Sequence, residues 1–561
     1  MVHQPATILK KLQARKEVFG EGAEDAKLAL LASLRRKPLK RAADVLLLHE
    51  WLCFARAFPD GERLKSEVER WLAEFHRRSD LKRHRVALAD TGVVTTDTNF
   101  RFFWQMAKTL VPAMPNAFSI NWEEFENADK LPDLLSLLLP YTESPALDAY
   151  DFSPREWIQR LKGPGETDAA FLLGRFLALD AVDAIKEHLY DSLDVPLLLS
   201  SGEETPCRTT EIYRPSAVHY QTRPLSHGRP DLKQVATAQD FRIRDVDPEE
   251  GRALIALANR AMVPRHRDLL VFLYGDENDV RVIDFGDGLE FVCIGTRPER
   301  RLMLEAVYGF LTLRNGVVAG YILNSALFHS CELAYNVFET FRGAEAAAVY
   351  GRFVSAVHHL FAADSFTVDP YQMGRDNAEG QASGAWWFYY KLGFRPRDPE
   401  VQALVRAELT RMKRNSKYRS SPERIHELAA ENMYLSLGKE RDDVLGSVPL
   451  GDMGLAVSAF LAKRFGGDRE RGLLVCAAEA AELLGVRRLD ELDAGQRTAF
   501  SRFAPFVIAM PEVLDWSPAE RDDLREVILA KGGRREPDFV LAFDRHTKLR
   551  KALLRLAKRA R

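Results

Sequence analysis

The chain has 561 residues, too many for one ordinary core, and its length alone sets an expectation of about three or four domains. Apolar residues at 46% and charged residues at 29% describe a soluble globular protein, and a net charge of −2 excludes a global field that would draw in nucleic acid or acidic membranes. The five cysteines, Cys53, Cys207, Cys293, Cys331 and Cys476, form no close pair, which excludes a disulfide framework or a cysteine-based zinc site and suits a reducing compartment. The start, MVHQPATILKKLQARKEVFG, has no apolar signal core. No run approaches the ~20 apolar residues of a membrane span. The expected location is cytoplasmic, with no membrane partner and no metal.

Residues 1–195 read as a helical region. RAADVLLLHEWLCFARAF places Leu46, Leu47, Trp51 and Phe54 on one face, and after a turn at Pro59-Asp60-Gly61 a second helix carries Leu64, Val68, Trp71 and Leu72. TDTNFRFFWQMAKTL offers a capped helix start, and ETDAAFLLGRFLALDAVDAIKEHLYDSL is a longer amphipathic segment. Trp51, Trp71, Phe102, Phe103 and Trp104 have the spacing of core rather than of a ligand stripe. Residues 196–239 lose the helical period and are rich in Pro, Ser, Thr and Gly, which marks a connector. Its His219 and His227 lack the companions a metal site needs.

From residue 240 the texture becomes mixed. FRIRDV reads as a strand, then a helix starts with Asp247 as cap and Pro248 in its first position. Two hairpins come next, turning at Asp287-Gly288 and Asn315-Gly316. His266-Arg267-Asp268 and Asp284-Phe285-Gly286 mimic protein-kinase signatures. The magnesium-binding Asn that phosphoryl transfer needs is Leu273 here, and no glycine-rich strand-loop precedes it, so these are chance tripeptides beside a hairpin turn.

The stretch Cys331–Phe394 carries the chemistry. Leu333, Tyr335, Val337 and Phe338 mark a strand. At Arg342-Gly343 the period changes, and Ala347, Tyr350, Val354, Val357 and Phe361 recur at helical spacing. SFTVDPYQMG is a second strand closed by Pro370 and Gly374. NAEGQASGAWWFYYKLGF then sets an aromatic helix against Gly393, and Phe394 begins another strand.

This order, ending in FYYKLGF, resembles the core of the GNAT superfamily of acetyltransferases, over about Phe241 to Asp398. The family's phosphate-binding turn, Gln/Arg-x-x-Gly-x-Gly/Ala, is matched at both ends by Arg342-Gly343-Ala344-Glu345-Ala346-Ala347. Small residues there let backbone N–H groups approach a pyrophosphate at a helix N-terminus. Glu345 departs from the pattern by placing a carboxylate where the family prefers glycine, and Ala382 stands where it prefers an asparagine, the nearest being Asn377 upstream. The resemblance implies acetyl-coenzyme A as acyl donor, held by Phe338, Arg342, Gly343, Ala344, Ala346, Ala347 and Asn377. It implies direct attack by a neutral amine, an oxyanion donor among the backbone N–H groups near Phe338, and Tyr389 as proton donor to the thiolate. Glu339, at the strand end, is the candidate base, acting directly or through water.

Residues 401–561 return to helices. LVRAELTRMKRNSKYR is basic, SPERIHELAAENMYLSL restarts behind Ser421 and Pro422, and two apolar helices end at Gly466 and Gly485. RHTKLRKALLRLAKRAR aligns Leu549, Leu553 and Leu556 among eight Lys or Arg, the pattern of an amphipathic helix docked on acidic neighbours or of a helix that meets nucleic acid or a membrane surface. The expected architecture is therefore α/β: a GNAT-like mixed sheet with flanking helices over residues 240–400, between all-helical regions at 1–195 and 401–561. Acyl transfer to an amine-bearing small molecule or peptide is the expected activity. A non-catalytic GNAT-like scaffold, contacting a protein partner through the helical flanks, is the alternative, and nucleic acid is not an expected partner.

Overall fold

The computed structural model describes residues 4–215, 217–343 and 345–560. The chain divides into two compact units, the first comprising Met1–Pro224, Ala253–Leu273 and Arg314–Val318, the second Leu225–Arg252, Tyr274–Leu313 and Ala319–Arg561. The expected junctions at 239/240 and 400/401 are not edges of these units.

Helices dominate the first unit, which holds two buried clusters, one around Leu48, Trp51 and Phe75 and one around Trp104, Phe118 and Phe176. Trp51, Trp71, Phe102 and Trp104 are core, while Phe103 is exposed. The region is not all-helical. β1 (Thr98–Phe100), β2 (Phe118–Ile120) and β3 (Leu197–Leu199) form an antiparallel sheet in the order β1-β3-β2. Strands of this length are too short to show an alternating pattern. TDTNFRFFWQMAKTL accordingly gives β1 first and a helix only from Trp104 to Ala113.

The second unit is built on a nine-stranded sheet in the order β11-β12-β10-β9-β8-β7-β6-β5-β4. Its strands are β4 (Arg242–Asp245), β5 (Gly275–Asp284), β6 (Leu289–Thr296), β7 (Ala306–Arg314), β8 (Val317–Leu327) and β9 (Ser330–Val337), then β10 (Ser365–Val368), β11 (Arg395–Pro396) and β12 (Met433–Ser436). β9 and β10 run parallel, and β8–β9 and β10–β12 are antiparallel, so the sheet is mixed. Asn315 and Gly316, at φ 47° and 77°, make the primed turn that matches strand twist. Asp284, in the supposed kinase tripeptide, accepts the Gly286 N–H at 2.7 Å and opens the β5–β6 turn.

Between β9 and β10 the chain must cross over, and α1 (Ala346–Phe361) does so, burying Tyr350, Phe353, Val354, Val357 and Phe361 on one face. The expected aromatic helix is two, α2 (Ala378–Ser383) and α3 (Ala385–Lys391), broken at Gly384 with φ 69°. The C-terminal region is not all-helical either. Behind its Ser421 cap the helix stops at Leu428, and Met433–Ser436 becomes β12, inserted between β10 and β11. One core cluster runs from Leu232 to Ala557. The basic terminal helix, Thr547–Lys558, buries Leu549, Leu553 and Leu556. Its Lys548 pairs with Glu520 at 2.6 Å, and Arg555 and Arg559 pair with Glu512 at 3.0 and 3.1 Å. Among the described residues no helix is long and apolar enough to cross a membrane.

Candidate functional site

Among the described residues β9 pairs with β10 only at Ser330, Cys331 and Glu332, then continues to Val337 with β8 as its one partner. β10 cannot accompany it, because Asp369 caps the next short helix by accepting the Tyr371 N–H at 2.8 Å and Pro370 has no N–H to give a ladder. The parted strands leave a cleft of about 570 Å³. Tyr335, Asn336 and Val337 form one wall, Arg342, Gly343 and Ala346 one end, and the segment from Asn377 to Tyr389 the opposite wall.

Backbone alternation decides which N–H groups face this cleft. The Phe338 N–H donates to the Ala319 carbonyl at 3.0 Å, so it points to β8 and away from the cleft. With period two, the N–H groups of Val337 and Tyr335 point the other way. That of Tyr335 acts on the Tyr389 hydroxyl, whose pKa it draws down. The Val337 carbonyl, on the same side, accepts from Arg342 Nε at 3.3 Å.

At the end of the cleft Gly343 takes φ 83°, and a Cβ there would meet no atom within 4 Å, so its backbone is open to a ligand. Its carbonyl is 3.2 Å from His227 Nδ1, which ties the connector to this turn. Arg342 is ion-paired with Glu379 across the cleft mouth. Glu345 takes the capping position of α1, its carbonyl receiving the Val349 N–H at 2.8 Å, and it is not among the residues lining the cleft. Asn377 lines the cleft, but its side chain is engaged as the cap of α2: Oδ1 accepts the Gly380 N–H at 3.0 Å and Nδ2 donates to the Tyr371 carbonyl at 3.0 Å.

Tyr389 is 2% exposed, among Tyr350, Phe388 and Phe394 at centroid distances of 5.7, 5.3 and 5.8 Å. Burial raises its pKa, and the Tyr335 N–H draws it partly back, so the phenol is protonated at neutral pH. The Tyr350 hydroxyl beside it is buried without a hydrogen-bond partner among the described residues. Tyr335 stacks on Phe388 at 6.2 Å and donates its own hydroxyl to the Ala346 carbonyl at 3.3 Å.

The structure thus brings Tyr389, Arg342, Gly343, Ala346 and Asn377 together in one cleft. Phe338, the exposed Glu339 and Ala347 do not line it, and Ala344 lies outside the described residues. Glu339 falls in the turn Glu339–Phe341 beyond the end of β9, which carries it past the wedge. The carboxylate that motif reading missed is Glu332, at the point where β9 and β10 part. Burial, with Asp369 and Glu305 nearby, pushes its pKa up to about 7. By strand alternation it lies on the opposite face from Tyr335. That Glu332 is the single charged residue of the strand SCELAYNV was the signal available. Among the described residues no group of His, Cys, Asp and Glu is arranged to hold a metal ion. Compared with known protein families, curated proteins and solved structures, the chain matches none.

Proposed function

We propose that the cleft binds an acyl-coenzyme A and that the chain transfers its acyl group to an amine, on a GNAT-like sheet. The observation that carries this reading is the early parting of β9 from β10, which opens a parallel sheet beside a glycine turn and a helix N-terminus. Such a wedge admits an extended thioester arm, with backbone N–H groups available to its carbonyl and the phosphates at the start of α1. Among the N–H groups near Phe338, that of Val337 is the proposed oxyanion donor, because it is turned to the wedge. Tyr389, held protonated by burial, is the proposed donor to the departing thiolate. Glu332, poised near neutrality, is the proposed group that takes the amine proton, through water.

The Arg342–Glu379 pair bears on the phosphate contact. Both side chains are substantially exposed, at 39% and 48%, so the pair contributes only about 0–1 kcal/mol and a phosphate can displace the carboxylate. Calorimetry with acetyl-coenzyme A tests the reading. Saturable binding is expected, weakened by Arg342→Gln and tightened by Glu379→Gln, each by about tenfold, the equivalent of one charge-assisted contact. No binding to either the wild type or Glu379→Gln sinks the proposal. The second reading, a non-catalytic scaffold, is favoured by the engagement of Arg342 and Asn377 with the protein itself. It requires that Glu379→Gln leave acetyl-coenzyme A without effect.

A further inference from the structure

A concave groove of about 430 Å³ in the first unit is lined by two basic segments, Arg35–Lys37 and Arg77–Arg78. Two carboxylates reach it. Asp80 is buried and fully committed: it takes the Arg78 guanidinium through Nε at 2.9 Å and Nη2 at 2.5 Å, and the Leu39 N–H at 2.7 Å. Glu74 is 3.7 Å from Arg35, which Glu67 also approaches at 3.8 Å. Among the described residues Arg36, Lys37 and Arg77 have no ion-pair partner.

Helix dipoles account for part of this charge. The segments lie just past the C-terminal ends of the helices Ala23–Leu34 and Glu62–Glu74, where cations complement the dipole. Each helix end supplies only about half a negative charge, so an excess of about two positive charges is left in a concavity. The walls are also fixed in place. Arg78 is held between Asp80 and the Trp71 ring, 5.5 Å away, and donates to the Lys37 carbonyl at 3.4 Å, so the two basic segments are joined to each other.

We propose that this groove binds a small ligand carrying two or more phosphate groups. Arg36 and Arg77 present planar guanidinium donors suited to oxyanions and Lys37 a point charge, and the fixed Asp80–Arg78–Lys37 frame prepays their arrangement. The size of the groove and the small net charge of the whole chain favour a compact multivalent anion over a polynucleotide track. None of these residues belongs to the coenzyme A cleft.

The test is calorimetry with inorganic tripolyphosphate on the full chain at physiological salt. Three proteins are compared: wild type, Arg36→Gln/Lys37→Gln/Arg77→Gln, and Arg342→Gln. The expected result is saturable binding that falls at least about tenfold in the triple variant and persists in Arg342→Gln, since one lost charge-assisted contact is worth about that factor. The triple variant alters no buried residue, and its circular dichroism should match the wild type. Absence of saturable heat in the wild type overturns the proposal, as does binding that the triple variant retains. Competition with a long single-stranded oligonucleotide separates the sources of phosphate: tighter binding than tripolyphosphate, occluding more than about four nucleotides, overturns the small-ligand assignment in favour of a polynucleotide.

Discussion

At the scale of single residues, one substitution separates the packing of Tyr389 from its proposed proton donation. The residue lines the cleft and packs on Tyr350, Phe388 and Phe394, and Tyr389→Phe keeps the ring and these contacts while removing the hydroxyl. Stability should change by no more than about 1–2 kcal/mol, since only the hydroxyl is lost. If Tyr389 is the acid, turnover with an accepted amine falls by roughly 10²–10⁴ with coenzyme A affinity nearly unchanged. Wild-type turnover in the Phe variant would make it core alone. Glu332 predicts a pH dependence. Its pKa lies at about 7 folded against an ordinary value of 4.5, so between these values the folded state binds more protons and stability falls as pH rises. Glu332→Gln removes that slope. The variant should gain about 1–3 kcal/mol over wild type at pH 8 and little at about pH 4.5, measured by urea unfolding. Equal differences at both pH values contradict the assignment.

At the scale of elements, the cleft depends on where β9 lies, and Gly320 on β8 is the contact that sets it. A Cβ there would fall 2.2 Å from the Asn336 carbonyl oxygen and 3.2 Å from the Val337 Cα. Gly320→Ala must therefore displace the C-terminal end of β9, which is paired there with β8. A loss of about 1–3 kcal/mol is expected from overpacking, together with weaker acetyl-coenzyme A binding. Unchanged affinity despite the lost stability would place the cofactor elsewhere. Elements with their own chemistry were legible from sequence: the Asp247 cap, which accepts the Glu250 N–H at 2.8 Å, the Asn315-Gly316 turn, and the apolar face of α1. The β8–β9 turn was not. Phe328 and His329 adopt φ 56° and 51°, where Asn and Gly are usual. Tertiary contacts hold them there, Phe328 being fully buried against Phe543 and the His329 N–H donating to Asp544 at 2.9 Å. No local signal announces a turn imposed by distant residues. The same limit applied to the site: Arg342, Gly343 and Tyr389 can be picked out by a motif, and Glu332 by its lone charge in the strand, whereas the direction of the Val337 N–H depends on strand register alone.

At the scale of the molecule, sequence pattern separates residues 240–400 from the C-terminal region because the period turns helical at Pro399. The sheet shows why a composition boundary need not be a folding boundary. β12 lies beyond that point yet pairs with β10 through Ser436, Leu435, Tyr434 and Met433 and with β11 through Tyr434 and Met433. Without it both strands lose their partner on that side, and buried Met433 and Leu435 leave the core. Thr367, fully buried on β10, also donates to the Leu445 carbonyl at 2.8 Å. Unpaired buried backbone costs about 1–3 kcal/mol per group, and a handful of such groups matches the whole stability of an ordinary domain, about 5–15 kcal/mol. A fragment of residues 240–400 should therefore show no cooperative unfolding transition in urea. In the full chain, Leu435→Ala should cost about 2–4 kcal/mol and lower protection from amide exchange in β10 and β11 together. That coupled loss distinguishes a strand shared by the sheet from a surface addition. If the fragment unfolds cooperatively, or if the exchange change stays within β12, the residues after 400 decorate a domain that is complete without them.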